Sequence, residues 1–320
     1  MHLTSPQRSV SAAFPRAPQR AVTVRQRLWD LQHRFAPYLF VSPFVILFAI
    51  FMVYPLGRSI VLSLYKTAGD KKEFVGLGNY AYLMIDKYFW WAVANTALLT
   101  LGFLLVQIPA ALGLAMLVNA KAVRFKSFFR FAFFSTHLTG MVFASVLFIQ
   151  MLNPRQGLIN RALGLLTGTV PQIPWLADPI LARISILFTW LWLSVGWGMI
   201  YFLAALQAVD QELYEAADVD GAGPWRKFWN VTVPSIKPVL VFMILIGTIG
   251  GFQLFEIPYI LFPLDNGPDQ AGLTIVNYLF STGWQAGDLG VASAIGWMLV
   301  ILILAVSLVQ YRVSFGGKEH

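Results

Sequence analysis

The sequence predicts an all-α membrane protein with six transmembrane helices, and three observations lead there. The 320 residues are 58% hydrophobic and only 12% charged, with a mean hydropathy of +0.66. That composition lies outside the range of soluble globular domains. Six apolar segments follow one another, each near the roughly 20 residues that cross a hydrocarbon core of about 30 Å. Lysine and arginine gather in alternate loops, as the positive-inside rule requires. Backbone groups in lipid must pair within their own segment, so the segments are helices. The alternating ten-residue strands of a closed barrel are absent.

Residues 1–35 form a basic tail. Arg8, Arg16, Arg20, Arg25, Arg27 and Arg34 face a single acid, Asp30, among Pro, Ser, Ala and Gln. The start of this tail has a disordered composition. No apolar run with a small-residue cleavage site argues for a removed signal peptide, while the arginine-rich, acid-poor make-up leaves an organelle transit peptide as an alternative. Residues near Gln26 to Phe35 are expected as a short helix on the inner membrane face.

The spans are placed at Tyr38 to Leu56, Ala92 to Val118, Phe131 to Leu152, Ile184 to Leu206, Val239 to Phe262 and Gly290 to Val309. With the tail inside, the inner segments carry 15 lysines and arginines and the outer ones 8. Both termini are therefore expected in the cytoplasm, including a short tail at 313–320 after a transmembrane domain at 36–312. The formal net charge of +8 then reflects loops held inside rather than affinity for nucleic acid. The loop from Pro263 to Leu289 has Asp265, Asp269 and Asp288 with no lysine or arginine, and should face outward. In the outer loop from Gly57 to Trp91, FVGLGNYAYL with Trp90 and Trp91 reads as an interfacial element, since aromatic rings suit the headgroup region.

One polar stretch between spans stands out, DQELYEAADVDGAGPWRKFWNVTVPSIKP at Asp210 to Pro238, within a loop of 207–238. Asp210 can cap a helix because its carboxylate accepts the free N–H groups of a first turn, and QELYEAADV consists mostly of good helix formers. Gly221 can take the left-handed conformation that ends a helix, and Pro224 suits the first turn of the next. Leu213, Ala216, Ala217, Trp225, Phe228 and Val231 would give the pair an apolar side. An amphipathic loop lying on the lipid surface is the alternative reading.

Glu215, Ala216 and Ala217, then Gly221, then Pro234 at the matching distance, resemble the EAA loop of inner-membrane permease subunits of bacterial ABC importers. The longer run EAADVDGAGPWRKFWNVTVP is similar to the form in carbohydrate-uptake permeases, with Val231 and Val233 where isoleucine and leucine are usual. YPLGRSIVLSLY and the Gly57 to Trp91 loop also resemble these permeases, so the likeness runs from about Tyr38 to Val309. STHLTGM in the third span departs from it, standing where prolines are frequent. The resemblance implies a six-helix permease fold with a cytoplasmic coupling helix in a bacterial inner membrane. It also implies a second permease subunit, two ATPase subunits, an extracytoplasmic sugar-binding protein and a carbohydrate substrate. Glu215, Ala216, Ala217, Asp220, Gly221 and Pro234 would form the ATPase-docking loop: Glu215 a polar anchor, the alanines permitting close approach, Gly221 setting the turn.

The spans hold no Lys, Arg or Asp and one Glu, Glu256, in the outer part of the fifth. An ionisable group there faces protein or water, so either capping near the surface or substrate contact fits. Gln253, Glu256 and Tyr259 recur every three residues and would share a helix face, with Pro258 able to kink it. Planar polar groups beside aromatic rings suit a sugar; packing of Phe252, Phe255 and Tyr259 against neighbouring helices is the other reading. Trp197 is a further candidate for the substrate path, with core packing as its alternative. Gln107, His137 and Gln150 fit hydrogen bonds between helices.

No GxxxxGK[ST] loop is present, so ATP and magnesium are expected on partner subunits and no cofactor on this chain. Zero cysteines and four scattered histidines point to no metal site. GxSxG is absent and nothing supports a catalytic residue. A self-contained secondary transporter or channel is the alternative function, although such proteins usually carry several intramembrane charges or paired broken helices.

Overall fold

The computed structural model of the protein describes residues 24–68, 71–120 and 122–315. Residues 1–23 of the basic tail and the last five residues lie outside them. The chain divides after Arg58 into two compact units. In the first, α1 (Val24–Phe48) continues through a π-helical turn, Ala49–Val53, towards α2 (Tyr54–Ser63). The short separate helix expected near Gln26 to Phe35 is instead the start of α1, which carries Pro37 and Pro43 in its interior.

The second unit takes in the end of α2 from Ser59, then a hairpin, β1 (Tyr65–Ala68) and β2 (Lys71–Phe74), then α3 (Gly78–Ile85) and α4 (Lys87–Asn119). The hairpin was not legible as a strand pair. It is held by cross-strand partners, Tyr65 opposite Phe74 with ring centroids 5.3 Å apart and Lys66 opposite Glu73. Next come α5 (Lys126–Ser135), α6 (Met141–Met151), α7 (Leu158–Thr167) and α8 (Pro179–Gln207). They are followed by α9 (Gln211–Val219), α10 (Pro224–Lys227), α11 (Val233–Phe252), α12 (Glu256–Leu261), α13 (Ile275–Phe280) and α14 (Leu289–Phe315).

Five helical stretches among the described residues are long and apolar enough to cross a membrane, six if the bent pair α5 and α6 counts as one. The second, fourth and sixth expected spans fall inside α4, α8 and α14. Asp86 and Asp178 cap α4 and α8, each accepting two N–H groups of the first turn. The third span is broken. It turns by 95° at Gly140, whose φ of 79° few other residues adopt. The break falls within STHLTGM itself.

The fifth span also differs from expectation. Its helix runs without interruption from Pro224 through a π turn, Phe228–Thr232, to Phe252, and then stops. Pro258 has no N–H to give the carbonyl of Leu254, four residues back. Thr274 supplies the donor instead, its Oγ1 lying 2.8 Å from that carbonyl oxygen.

α4 is the central staff of this unit. It lies parallel to α8, with Asn95 bonded to Arg183 and Phe103 stacked on Trp190 at 3.5 Å. It is antiparallel to α11, with Thr100 against Gly251 and Leu104 against Gly247. The start of α4 therefore meets the 263–289 loop, and its far end approaches the 207–238 loop. Buried cores surround it at three levels, around Leu83 and Ile275, around Phe103 and Ile257, and around Met199 and Phe202.

Candidate functional site

The 207–238 loop forms the helix, turn, helix expected of it. Asp210 Oδ1 accepts the Glu212 N–H at 3.0 Å, capping α9. At its other end Gly221 has φ 69°, the Ala222 N–H donates to the Ala217 carbonyl at 2.9 Å, and the Gly221 N–H to that of Asp218 at 3.0 Å. These two bonds close the last turn as a Schellman motif. Pro224 opens α10. Tyr214 and Thr232 join hydroxyl to hydroxyl at 3.0 Å, and Lys227 pairs with Asp218, so α9 is tied back onto the foot of α11.

A groove of about 340 Å³ results, lined by Ala216, Ala217, Asp220, Arg226, Lys227 and Asn230, with Leu213 and Val231 beside them. Ala216, Ala217 and Asp220 thus come together as the motif suggested. Glu215 is exposed on α9, Gly221 sits at the turn, and Pro234 is exposed in the first turn of α11, none of them lining the groove. The expected apolar side is not packed away. Trp225 is 73% exposed and Val219 89%, while Phe228 and Val231 are half-buried. Exposed tryptophan beside exposed valine marks a surface suited to meeting another molecule or lipid. The sequence marks Arg226 and Lys227 only as inner-side charges and Asn230 not at all; as groove residues their available signal was the basic pair in PWRKF.

The four residues considered for a substrate path do not form one face. The break in the fifth span makes exposed Gln253 the C-cap of α11 and half-buried Glu256 the first residue of α12. The three-residue spacing therefore does not set Gln253, Glu256 and Tyr259 along a continuous helix. Tyr259 stacks on Phe255 at 5.1 Å and meets Phe280 edge-on at 5.3 Å. Trp197 belongs to another aromatic row, 4.6 Å from Tyr201 and 6.1 Å from His137, with Tyr201 reaching Phe242. Gln107 is buried against Gly198, and His137 Nδ1 lies 3.2 Å from the Leu193 carbonyl oxygen. Both therefore pack between helices.

Arg183, one of the eight lysines and arginines assigned to the outer segments, lies inside α8. Its Nε and Nη2 donate to Asn95 Oδ1 at 3.4 and 3.3 Å, and its Nη1 to the Pro179 carbonyl at 3.1 Å. Asn95 in turn donates to the Gln270 carbonyl at 2.7 Å. Tyr278 donates its phenol O–H in a hydrogen bond to Asp86, and burial together with that carboxylate pushes the phenol far above its ordinary value. Among the described residues no three His, Cys, Asp or Glu side chains gather as a metal site would require.

The sequence family described as "Binding-protein-dependent transport system inner membrane component" matches residues 107–315. The arabinooligosaccharides transport system permease protein AraP of Bacillus subtilis (strain 168) is 38% identical over 283 residues, spanning 88% of this chain and 90% of that protein. The lactose transport system permease protein LacF of Rhizobium radiobacter is 35% identical over 280 residues, spanning 86% and 92%. Among solved structures, a bacterial ABC transporter involved in the import of the acidic polysaccharide alginate aligns with a TM-score of 0.76 at 24% identity, over 90% of this chain and 98% of that one. The same kind of transporter in complex with an alginate pentasaccharide-bound periplasmic protein aligns at 0.77, over 92% and 99%.

Proposed function

The chain belongs to the inner-membrane components of binding-protein-dependent transport systems, and from that premise we propose that it carries a neutral carbohydrate inward through a pathway shared with a second permease. It is a transport subunit of an ABC importer, not an enzyme. Relatives named for arabinooligosaccharides and lactose support a carbohydrate cargo. In this reading an external binding protein delivers the sugar, and two ATPase subunits hold the ATP and magnesium.

The observation that carries the reading is the 207–238 protrusion. α9 is short, capped at both ends, tied to the foot of α11 and exposed on its outer side. One ATPase grips this element at Glu215, Ala216 and Ala217, with Asp220 and Gly221 forming the turn and Pro234 starting the membrane helix. Helical hydrogen bonding is continuous from Pro224 to Phe252, so a push on the protrusion moves α11 as a lever. The termini, with the tails at 1–35 and 313–320, then lie on the ATPase side, flanking the translocating domain at 36–312. Gln253, Glu256, Tyr259 and Trp197 remain the residues proposed to meet the sugar.

Reconstitution of the chain with its partner subunits in proteoliposomes tests this. Uptake of lactose or arabinotriose should require ATP and the binding protein. Uptake that persists without nucleotide would refute the coupling.

A further inference from the structure

At the end of the bundle opposite the protrusion, a cavity of about 860 Å³ opens between the hairpin and α3 on one side and α13 and α14 on the other. This is within the size range of small-molecule sites, roughly 300–1,000 Å³. Its walls are fixed. Asn79 donates to the carbonyls of Ser63 and Tyr65 at 2.8 and 2.9 Å, and Asp288 accepts the Thr67 hydroxyl at 3.0 Å. Lys66, Thr282 and Gln285 also line it, and their side chains make no hydrogen bond within the described residues. A rigid wall with free polar groups is prepared for a ligand, because little order is lost on binding.

A niche of about 30 Å³ adjoins the cavity and shares Ser281 and Gln285 with it. Tyr259, Phe262 and Phe280 wall the niche, and Asn277, only 3% exposed, lines it. Asn277 donates from Nδ2 to the Gly272 carbonyl at 2.9 Å, but its Oδ1 accepts nothing. A buried carbonyl of this kind calls for a donor, and the niche has room for one hydroxyl group or one water. Among the described residues its charged lining is one lysine, Lys66, and one carboxylate, Asp288, which offset each other, so its chemistry is that of a neutral molecule rich in hydroxyl donors and acceptors.

We propose that this cavity is a carbohydrate-binding site at the outer end of the permease, with one sugar hydroxyl entering the niche to donate to Asn277 Oδ1 and Gln285 bonding the ring above it. The inference rests on the carbohydrate reading above and adds a site apart from the Trp197 row.

The chain has no cysteine, so Thr282→Cys gives this subunit one thiol, inside the cavity, within the fully assembled transporter. Lactose and arabinotriose, each at a concentration of roughly four times the dissociation constant, should slow its reaction with a maleimide about fivefold. Lys72→Cys, exposed on the hairpin outside the cavity, should react at an unchanged rate. Adding Gln285→Ala to Thr282→Cys removes an exposed side chain that lines both the cavity and the niche, and should abolish the protection. The site is refuted if neither sugar protects, if Lys72→Cys is protected equally, or if Gln285→Ala changes nothing. ATP-driven uptake of the same sugars, measured alongside, separates the two readings. Uptake without protection removes the site and leaves the transport function standing; protection without ATP dependence does the reverse.

Discussion

The two ends of the helical bundle are held together in opposite ways. At the outer end, bonds between side chains and distant backbone join segments far apart in sequence. Asn95 reaches the Gln270 carbonyl, Thr96 accepts the Ile275 N–H at 3.0 Å, Thr274 reaches Leu254, and Thr67 accepts the Gly290 N–H at 2.9 Å. At the other end the bonds that shape the protrusion, from Asp210 to Glu212, Tyr214 to Thr232, Asp218 to Lys227 and across the Gly221 turn, all lie inside residues 210–232. The first arrangement ties several helices into a single block. The second leaves a self-contained handle, which a partner can grip and move without first undoing bonds to the rest of the chain.

Substitutions at the two ends should therefore separate stability from coupling. The largest stability effect is expected for Asn95→Leu, which leaves the Arg183 guanidinium and the Gln270 carbonyl without their partner, a loss of about 3–4 kcal/mol. Thermal unfolding in detergent should show it, with ATPase binding retained by the folded fraction. Gly221→Pro acts the other way. Proline cannot adopt φ 69° or donate to Asp218, at a local cost of about 3 kcal/mol, roughly a hundredfold in the population of the docking-competent turn. Uptake and co-purification with the ATPase should be lost while membrane insertion is unchanged.

Smaller effects sharpen the contrast. Thr96→Val keeps the shape of a fully buried side chain but strands the Ile275 N–H, costing about 1–3 kcal/mol in the same unfolding assay. Gly290→Ala would put a methyl group 1.9 Å from the Tyr65 carbonyl oxygen, so the hairpin must shift, at about 1–3 kcal/mol. Lys227→Ala removes an ion pair whose Asp218 partner is largely exposed, worth about 0–1 kcal/mol, and should leave the unfolding temperature nearly unchanged. If Lys227→Ala destabilised as much as Asn95→Leu, the contrast between the two ends would fail.

Features written in local chemistry were legible in the sequence. The cap at Asp210, the turn at Gly221 and the restart at Pro224 all depend on residues within one or two turns of each other. The long apolar runs likewise marked α4, α8 and α14. What was not legible depends on contacts across the fold. The end of α11 at Phe252 is hidden in a run whose hydrophobicity continues through Ile260 and Leu261. Its signal was the carbonyl of Leu254 four residues before Pro258, but the compensating hydroxyl is Thr274, in the next loop. Arg183 looked like an outer-loop charge because its partner, Asn95, is 88 positions away. The hairpin at 65–74 is too short for its alternation to stand out beside long helices.

The central claim is that the protrusion around Glu215 is gripped by an ATPase and passes its motion to α11. With no native cysteine, Glu215→Cys carrying a short photo-crosslinker reports its neighbour directly in native membranes. The account predicts one crosslinked product, with the ATPase subunit, whose yield changes between the nucleotide-free and ATP-bound states. Capture of lipid alone, in both states, would contradict it.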